Sequence, residues 1–236
     1  ELMNGFIVDT NSSWISKKIS NYESLEVSSK VTVCDSKKSI HEYLKYFLSN
    51  KYDYIFITGG LGPTHDDITK RSIATYFDLE LYTQKEYYLQ LSEIFEDKYD
   101  KKDISYLESQ AQILRGSEAI SNKYGTALGM HLKVDKSNFY ILPGVPKEMK
   151  SMLSSQILPN YFSCNYLLKK NIKTILTAGV YESKLSSILS LFISEKKSDY
   201  KFSFLPNYTG VKVRIQKLNS QISEQDFLSY IKNVVK

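Results

Sequence analysis

Two adjacent carboxylates, Asp66 and Asp67, directly follow a glycine-rich stretch that includes Gly59–Gly62 in this sequence of 236 residues. A short apolar run, Tyr54–Thr58, precedes the glycines and is typical of a buried strand. Glycines let the backbone adopt positive φ and approach a ligand closely, and the N–H groups of such a turn can bind phosphate oxygens. Carboxylates beside phosphate groups usually bind a divalent cation. The stretch therefore predicts a site for phosphate and metal at the carboxyl end of a strand.

A structural explanation competes with this hypothesis. An Asp at the start of a helix caps unpaired N–H groups, and a helix is predicted from Ile68 to Phe77. One Asp can cap, but a second acid directly after a glycine turn is not explained in that way, so we favour a functional role. The turn matches neither GxGxxG nor GxxxxGK[ST], which leaves a dinucleotide site or a phosphate-loop ATPase unsupported.

The elements around this turn alternate between strand and helix. Lys30–Cys34 and Tyr54–Thr58 read as strands, and each is followed by a predicted helix. This order predicts an α/β fold, with a mostly parallel sheet and helices on both faces. Ligands of such sheets bind outside the carboxyl ends of the strands. Two more turns, Gly125–Gly129 and Pro143–Pro146, flank predicted strands, and we expect them to reach the same cleft.

Three polar residues near these turns are weaker candidates. Asp9 and Asn11 are most simply the entry to a helix, but they would add a carboxylate and an amide to the same rim. His65 could act as a base, although a single His is more often a surface residue.

A boundary between two domains is predicted near residue 165. Residues 1–165 would form the phosphate-binding domain, and residues 166–236 show a β-α-β-β-α order that predicts a small α+β domain. About seventy residues are enough for such a unit to fold by itself.

The composition narrows the class of protein. A hydrophobic share of 42% and a charged share of 24% indicate a globular domain and argue against disorder. The net charge of +5 is spread along the chain and Arg is scarce, so nucleic acid is a disfavoured partner. Cys34 and Cys164 show no spacing of a zinc site or disulfide framework, which indicates a reducing compartment. No apolar run is long enough to predict a membrane span.

The glycine turn and its flanks resemble a known family. Thr58–Thr69 reads TGGLGPTHDDIT and is similar to the GGLGPTxDD-T signature of the CinA N-terminal domain, in the MoaB/MogA molybdopterin-binding superfamily. Three further stretches match in order: ELMNG with VDTN at 1–11, GTALG at 125–129 and LPGVPKEM at 142–149. Residues 204–206 and 211–214 resemble the family's small KH-like second domain.

The resemblance has two departures. Leu128 stands where the family has a proline, which is expected to loosen that turn. The family's first strand would end just before Glu1, so we expect that strand to lie upstream. The amidohydrolase domain of long CinA proteins has no counterpart in these residues, and its deamidation of nicotinamide mononucleotide is not assigned here.

The resemblance implies a cytoplasmic protein, related to competence/damage-inducible protein A, with two candidate functions. The first is a metal-dependent pyrophosphatase, a hydrolase acting on ADP-ribose or a related nucleoside diphosphate derivative with Mg²⁺, Mn²⁺ or Co²⁺. The alternative is a molybdopterin-binding module without turnover of its own. A regulatory domain with a decayed site is disfavoured because all four motifs are present. Relatives often assemble as dimers or trimers, so the resemblance is compatible with a homo-oligomer, and the sequence itself does not choose the oligomeric state.

The residues expected to serve these functions come from the four motifs. Asp66 and Asp67 would be catalytic and, together with Glu1, would ligate the metal, whose bound water would attack the pyrophosphate. The remaining predicted ligand contacts are Asp9, Asn11, Thr58, Gly59, Gly60, Leu61, Gly62, Thr64, Gly125, Thr126, Gly129, Pro143, Gly144, Pro146 and Glu148.

Overall fold

The computed structural model describes residues 2–95, 104–162, 169–219 and 221–235. The chain divides into two compact units, which are described separately. The first comprises Glu1–Ser20 and Ser24–Leu167, and the second comprises Asn21–Glu23 and Leu168–Lys236.

The first unit is built from seven helices and six strands among its described residues. Its helices are α1 (Thr10–Ile19), α2 (Lys37–Ser49), α3 (Thr69–Phe77), α4 (Lys85–Phe95), α5 (Ile104–Ala111), α6 (Pro146–Met152) and α7 (Leu158–Tyr161), and a π-helical turn, Leu153–Ile157, joins the last two. Its strands are β1 (Tyr54–Thr58), β2 (Leu81–Thr83), β3 (Gln112–Leu114), β4 (Glu118–Ile120), β5 (Gly129–Val134) and β6 (Ser137–Leu142).

The main sheet of this unit has the strand order β1-β6-β5-β4. Strand β1 runs parallel to β6, whereas the β6–β5 and β5–β4 pairs are antiparallel. The α/β class is therefore confirmed, and the described sheet is mixed. Its register places Thr58 opposite Leu142, so the loops after β1 and β6 leave the sheet side by side.

The predicted strand at Lys30–Cys34 is wrong. This segment is assigned to no strand, and it pairs with no strand in the described part of the chain. Val31, Thr32 and Val33 favour an extended backbone, but a strand also needs a paired neighbour.

Apolar side chains from sheet and helices hold the unit together. Phe139, Ile141 and Met130 are fully buried, and Ile73 of α3 packs into the same core. Alternate residues of the strands enter this core because strand side chains alternate between faces. The core thus fixes β1, β6 and α3, the three elements whose ends carry the predicted site.

The second unit is a small α+β fold, as the order of its elements predicts. Its elements are β7 (Ile172–Thr177), α8 (Glu182–Ile188), α9 (Ser190–Glu195), β8 (Tyr200–Asn207), β9 (Gly210–Lys217) and α10 (Glu224–Val235). The antiparallel sheet has the order β7-β9-β8, and its core includes Val213, Ile215 and Phe227. The predicted order has one helix after the first strand, where the structure has two, α8 and α9, which meet at Leu189 and Ser190.

No helix in the described parts of either unit has the length and hydropathy of a membrane span.

Candidate functional site

Three of the predicted stretches meet at the carboxyl ends of β1 and β6. A Cβ placed on Gly144 would lie 3.2 Å from the Cα of Gly59, so the two loops touch through their backbones. Asn11, at the start of α1, donates a hydrogen bond of 2.7 Å from Nδ2 to the carbonyl of Gly144. Asp9 caps α1 by accepting hydrogen bonds from the N–H and hydroxyl of Ser12. The structure therefore brings the start of α1 and both loops together.

Gly60 lets the first loop turn directly into α3. Its φ is +67°, in the left-handed region that favours glycine. A Cβ at this position would overlap the side chain of Thr69 and would lie 3.2 Å from its backbone nitrogen. The loop can therefore pack against the first turn of α3 only with glycine at this position.

The two carboxylates have different surroundings. The Oδ2 atom of Asp67 accepts hydrogen bonds from the N–H of Thr64 at 3.1 Å and from its hydroxyl at 2.5 Å. The same hydroxyl lies 2.5 Å from Oδ1 of Asp66. That hydrogen bond, the Asp66 backbone and nearby His65 hold the pKa of the Asp66 carboxyl below its usual range. A hydroxyl has one proton, so Thr64 donates to one of these carboxylates at a time.

Neither carboxylate caps α3. The N-cap residue is Ile68, and no side chain accepts a hydrogen bond from the first turn of this helix. Asp67 instead closes the loop on Thr64, and Gly62 makes room for it, because a Cβ there would overlap the Asp67 carboxylate. Helix capping, the simplest alternative for this pair, is therefore wrong.

A cavity of about 1050 Å³ opens at this point. The predicted residues that line it are Asp9, Asn11, Thr58, Gly59, Gly60, Asp66, Asp67, Gly144 and Pro146. Among the other predicted contacts, Leu61 is buried in the core and Glu1 lies outside the described residues. Gly62, Thr64, Gly125, Thr126, Gly129, Pro143 and Glu148 do not line the cavity.

The Gly125–Gly129 turn belongs to a separate hydrogen-bonded assembly. Asn122 makes most of its hydrogen bonds: the Oδ1 atom accepts hydrogen bonds from the N–H groups of Tyr124 and Gly125 at 3.1 and 3.0 Å. The Nδ2 of Asn122 donates to the carbonyl of Ala127 at 2.9 Å and to Glu148 at 2.7 Å. Sequence reasoning missed Asn122, although Asn side chains commonly accept a hydrogen bond from the backbone two residues on, in an Asx turn.

Two side chains from other parts of the first unit also form hydrogen bonds with the Gly125–Gly129 turn. The hydroxyl of Tyr87 donates to the carbonyl of Thr126 at 2.9 Å, and the Thr126 hydroxyl donates to Oε1 of Gln110 at 3.2 Å. Leu128, in the family's proline position, is buried in the core. Its N–H donates to the carbonyl of Gln110 at 3.2 Å, a bond that proline could not make. Leu128 therefore anchors the turn, and the prediction that it loosens the turn is wrong.

The described residues contain no group of three His, Cys, Asp or Glu side chains arranged to hold a metal ion. Asp66 and Asp67 are adjacent, but the third predicted ligand, Glu1, is outside the described ranges. Metal binding at this loop stays a prediction.

A buried lysine beneath the loop is a second feature that the sequence did not reveal. Lys70 is 5% exposed, and its Nζ donates to the carbonyls of Ser109 and Gln112 at 2.5 and 3.3 Å. Burial lowers the pKa of Lys70 from 10.5 to about 8. The side chain ties the first turn of α3 to the end of α5 and the start of β3.

The lowered pKa of Lys70 predicts a pH-dependent stability. Between pH 8 and pH 10.5 the unfolded chain binds more protons than the folded one, so stability rises with pH through this window. The free energy of unfolding of the wild type, relative to a Lys70→Met variant, should increase by up to about 3 kcal/mol from pH 8 to pH 10.5. Urea titrations at several pH values measure this. If the stability of wild type and of Lys70→Met changes with pH in the same way, the lowered pKa of Lys70 is wrong. Lys85→Met, at an exposed lysine, is the control and should follow the wild-type pH profile.

Comparison with known proteins gives the family. Residues 1–161 match the family described as "Probable molybdopterin binding domain". A CinA-like protein of Flavobacterium psychrophilum is 33% identical over 218 residues, which cover 91% of this chain and 51% of that protein. A protein of Pediococcus pentosaceus that carries the name competence-damage inducible protein is 32% identical over 236 residues, which cover 98% of this chain and 56% of that protein.

A solved structure agrees with these relatives. The crystal structure of the protein CinA, of unknown function, from Thermoplasma acidophilum has a TM-score of 0.58 and 27% identity, over 66% of this chain and 89% of that chain. The chain spans about half the length of the curated relatives it matches. All three loops that carry the glycine and proline motifs lie within the matched residues 1–161. The chain therefore belongs to the family of the probable molybdopterin binding domain, and it is similar to the CinA-like, competence-damage-inducible members of that family.

Proposed function

We propose that the first unit binds a pterin phosphate of the molybdopterin type. The observation that supports this most directly is that the loops of Gly59 and Gly144 and the start of α1 meet at one cavity inside the residues that match a molybdopterin-binding family. The ligand would lie at the carboxyl end of β1, where an α/β sheet places its ligands.

The loop offers donors for the phosphate. The N–H of Gly59 already donates a hydrogen bond to the carbonyl of Leu142 at 3.0 Å. We therefore do not assign it to the phosphate. The N–H of Gly60 has no hydrogen-bond partner in the described part of the chain, and Gly60 lines the cavity. It is the backbone donor that we assign to a phosphate oxygen, and no side chain at Gly60 blocks the approach.

The carboxylates suit the heterocycle better than the phosphate. A phosphate beside Asp66 and Asp67 would meet like charge, whereas a pterin ring presents N–H donors along one edge. The hydrogen bonds that the Asp67 carboxylate accepts within the described residues all involve Oδ2. Its Oδ1 is therefore the acceptor that we assign to a ring N–H, a charge-assisted hydrogen bond of the stronger kind.

Binding of molybdopterin to wild type and to Asp67→Asn, followed by fluorescence titration, tests this proposal. The variant should lose at least tenfold in affinity, about 1.4 kcal/mol, because a neutral amide replaces the charged acceptor. Asp135→Asn is the matched control, since Asp135 has φ +52°, which Asn tolerates, in the turn between β5 and β6. Wild type that binds no molybdopterin at micromolar concentration would refute the proposal.

Pyrophosphatase activity stays a prediction and forms a second arm of the same experiment. Wild type and Asp67→Asn are incubated with ADP-ribose and Mg²⁺, Mn²⁺ or Co²⁺, and release of AMP is measured. Metal-dependent release that the Asp67→Asn variant loses would favour an enzyme over a binding module. Molybdopterin binding without AMP release would favour the binding module.

A further inference from the structure

The positive charge of the chain is concentrated in the second unit. That unit carries twelve Lys and Arg residues against six Asp and Glu residues, which is a net charge of +6. The first unit carries nineteen against twenty and is close to neutral. Strands β7, β8 and β9 contain none of the six acids, which lie in the helices and connections. The excess of positive charge therefore belongs to this unit, and no acid of its sheet offsets it.

The strand register separates the two faces of this sheet. On one face, Val213 and Ile215 of β9 pack in a core with side chains of α8, α9 and α10. Because strand side chains alternate between faces, Lys212 and Arg214 belong to the opposite face. We call this opposite face the outer face. Its nine residues are Ile172, Thr174 and Leu176 of β7, Lys201, Ser203 and Leu205 of β8, and Lys212, Arg214 and Gln216 of β9.

The outer face is basic and partly apolar. Lys201, Lys212 and Arg214 are exposed, and none of the nine residues is acidic. Leu176 and Leu205 are 59% and 38% exposed, and in the register they lie on either side of Lys212. The helices described for this unit all contribute to the core on the other face. The outer face thus presents leucines and cations side by side.

The three cations of the outer face have no acidic partner in the described structure. The ion pairs found among the described residues lie in the first unit. Lys212 and Arg214 stand two residues apart on one strand, about 7 Å along it, so their charges repel each other. An anionic partner would remove this repulsion.

The dimensions of the outer face fit one α-helix. Three strands about 4.8 Å apart make a face about 10 Å wide, which is the diameter of a helix. Six residues of β7 pair with β9, and they span about 20 Å, the length of a helix of about 13 residues. A helix on this face would add a third layer to the unit.

We propose that the outer face binds an acidic amphipathic helix of a partner protein. The apolar side of that helix contacts Leu176 and Leu205, and its carboxylates pair with Lys201, Lys212 and Arg214. Charge complementarity gives the helix its orientation on the sheet, and the leucines exclude water from the contact. The proposal is independent of the pterin site, which lies in the first unit.

Two other anionic partners fit the outer face less well. Single-stranded nucleic acid binds by stacking its bases on aromatic rings, and none of the nine residues is aromatic. Membrane binding needs apolar groups that reach past the lipid headgroups. Lys and Arg side chains are longer than Leu, so on a flat sheet the cations hold the leucines away from the acyl chains. An acidic helix, in contrast, presents apolar and charged side chains at one level.

Fluorescence anisotropy with the full chain tests the outer face. The probe is a labelled helical peptide of about 14 residues, with leucines along one stripe, glutamates on both flanks and alanines elsewhere. One control peptide has lysine in place of every glutamate. A second has the composition of the probe with its leucines scattered around the helix. Wild type should bind the probe, more weakly as salt rises, and should bind each control at least tenfold more weakly.

Matched charge reversals locate the contact. Arg214→Glu should weaken binding of the probe about tenfold, because it places like charge opposite the glutamates. Lys184→Glu makes the same change of charge at an exposed position of α8 and should leave the affinity unchanged. Leu176→Ser should weaken binding about threefold through loss of apolar contact. The three variants should keep the unfolding temperature of wild type, because these side chains are exposed.

Four results would overturn the proposal. The first is no binding of the probe by wild type at about 1 mM, a concentration at which even weak complexes form. The second is an equal loss of affinity in Arg214→Glu and Lys184→Glu. The third is equal affinity for the probe and the scattered peptide, which would show attraction by charge alone. The fourth is tighter binding of oligothymidylate, or of vesicles containing phosphatidylserine, than of the probe, which would make the partner a nucleic acid or a membrane.

Discussion

A Gly60→Ala variant is expected to lose about 3 kcal/mol of the free energy of unfolding of the first unit. An alanine held at φ +67° costs about 1–2 kcal/mol, and overlap with Thr69 adds about 1–3 kcal/mol. The loop must move away from α3 to relieve the overlap, so molybdopterin affinity should fall as well. Urea unfolding followed through Trp14, the single tryptophan of the chain and a residue of α1, reports on this unit.

Gly116 is the matched control for this prediction. It has φ +84°, but a Cβ there would meet no atom within 4 Å. Gly116→Ala should therefore cost only the backbone strain, about 1–2 kcal/mol, and should leave ligand affinity unchanged. Equal losses of stability in Gly60→Ala and Gly116→Ala would show that the overlap with Thr69 does not contribute to the loss.

An Asn122→Ala variant is expected to lose about 2–4 kcal/mol of stability. The side chain makes four hydrogen bonds, and its loss leaves two N–H groups, the Ala127 carbonyl and the Glu148 carboxylate without their partner. A buried polar group that loses its hydrogen-bond partner costs about 1–3 kcal/mol. Because Asn122 is half-buried, water can replace part of the lost bonding, and the total loss of stability is smaller than the sum over the four groups. Urea unfolding measures the loss.

Two further variants make the Asn122 prediction specific. Asn122→Asp keeps the acceptor for the N–H groups of Tyr124 and Gly125, but it places a carboxylate oxygen against Glu148 and the Ala127 carbonyl. At neutral pH it should therefore be at least as unstable as the alanine variant. Asn50→Ala removes a single exposed hydrogen bond to Tyr46 and should cost less than 1 kcal/mol. An Asn122→Asp variant as stable as wild type would refute the proposed arrangement.

Much of the fold follows from local patterns in the sequence. The apolar run at Tyr54–Thr58 forms β1, and Ser36, an N-cap residue by type, accepts a hydrogen bond from Ser39 at the start of α2. Pro146 begins α6, as its fixed φ and missing N–H favour. These signals are short-range, so a single sequence is enough to read them.

The candidate site was predictable in part for a different reason. In an α/β sheet the loops after parallel strands leave at the same edge, so motifs far apart in sequence can be expected to meet. Gly59 and Gly144 do meet, since β1 and β6 are parallel neighbours. Gly125–Gly129 lies at the same edge, because it leads into β5, which runs antiparallel to β6 and pairs Met130 with Ile141. It does not line the cavity, and β6 stands between β5 and β1 in the sheet.

The sequence by itself determined the local chemistry: which residues can turn with positive φ, which carry charge, and which favour helix or strand. Only the tertiary structure decided what each group contacts. It showed that Asp67 closes its own loop rather than capping α3, that Asn122 holds the second turn, and that Lys70 is buried. It also left Val31–Val33 without a strand partner in the described part of the chain. Hydrogen-bond partners, burial and strand pairing depend on residues that are distant in the chain. The helix and strand propensities of single residues contain no information about such distant contacts.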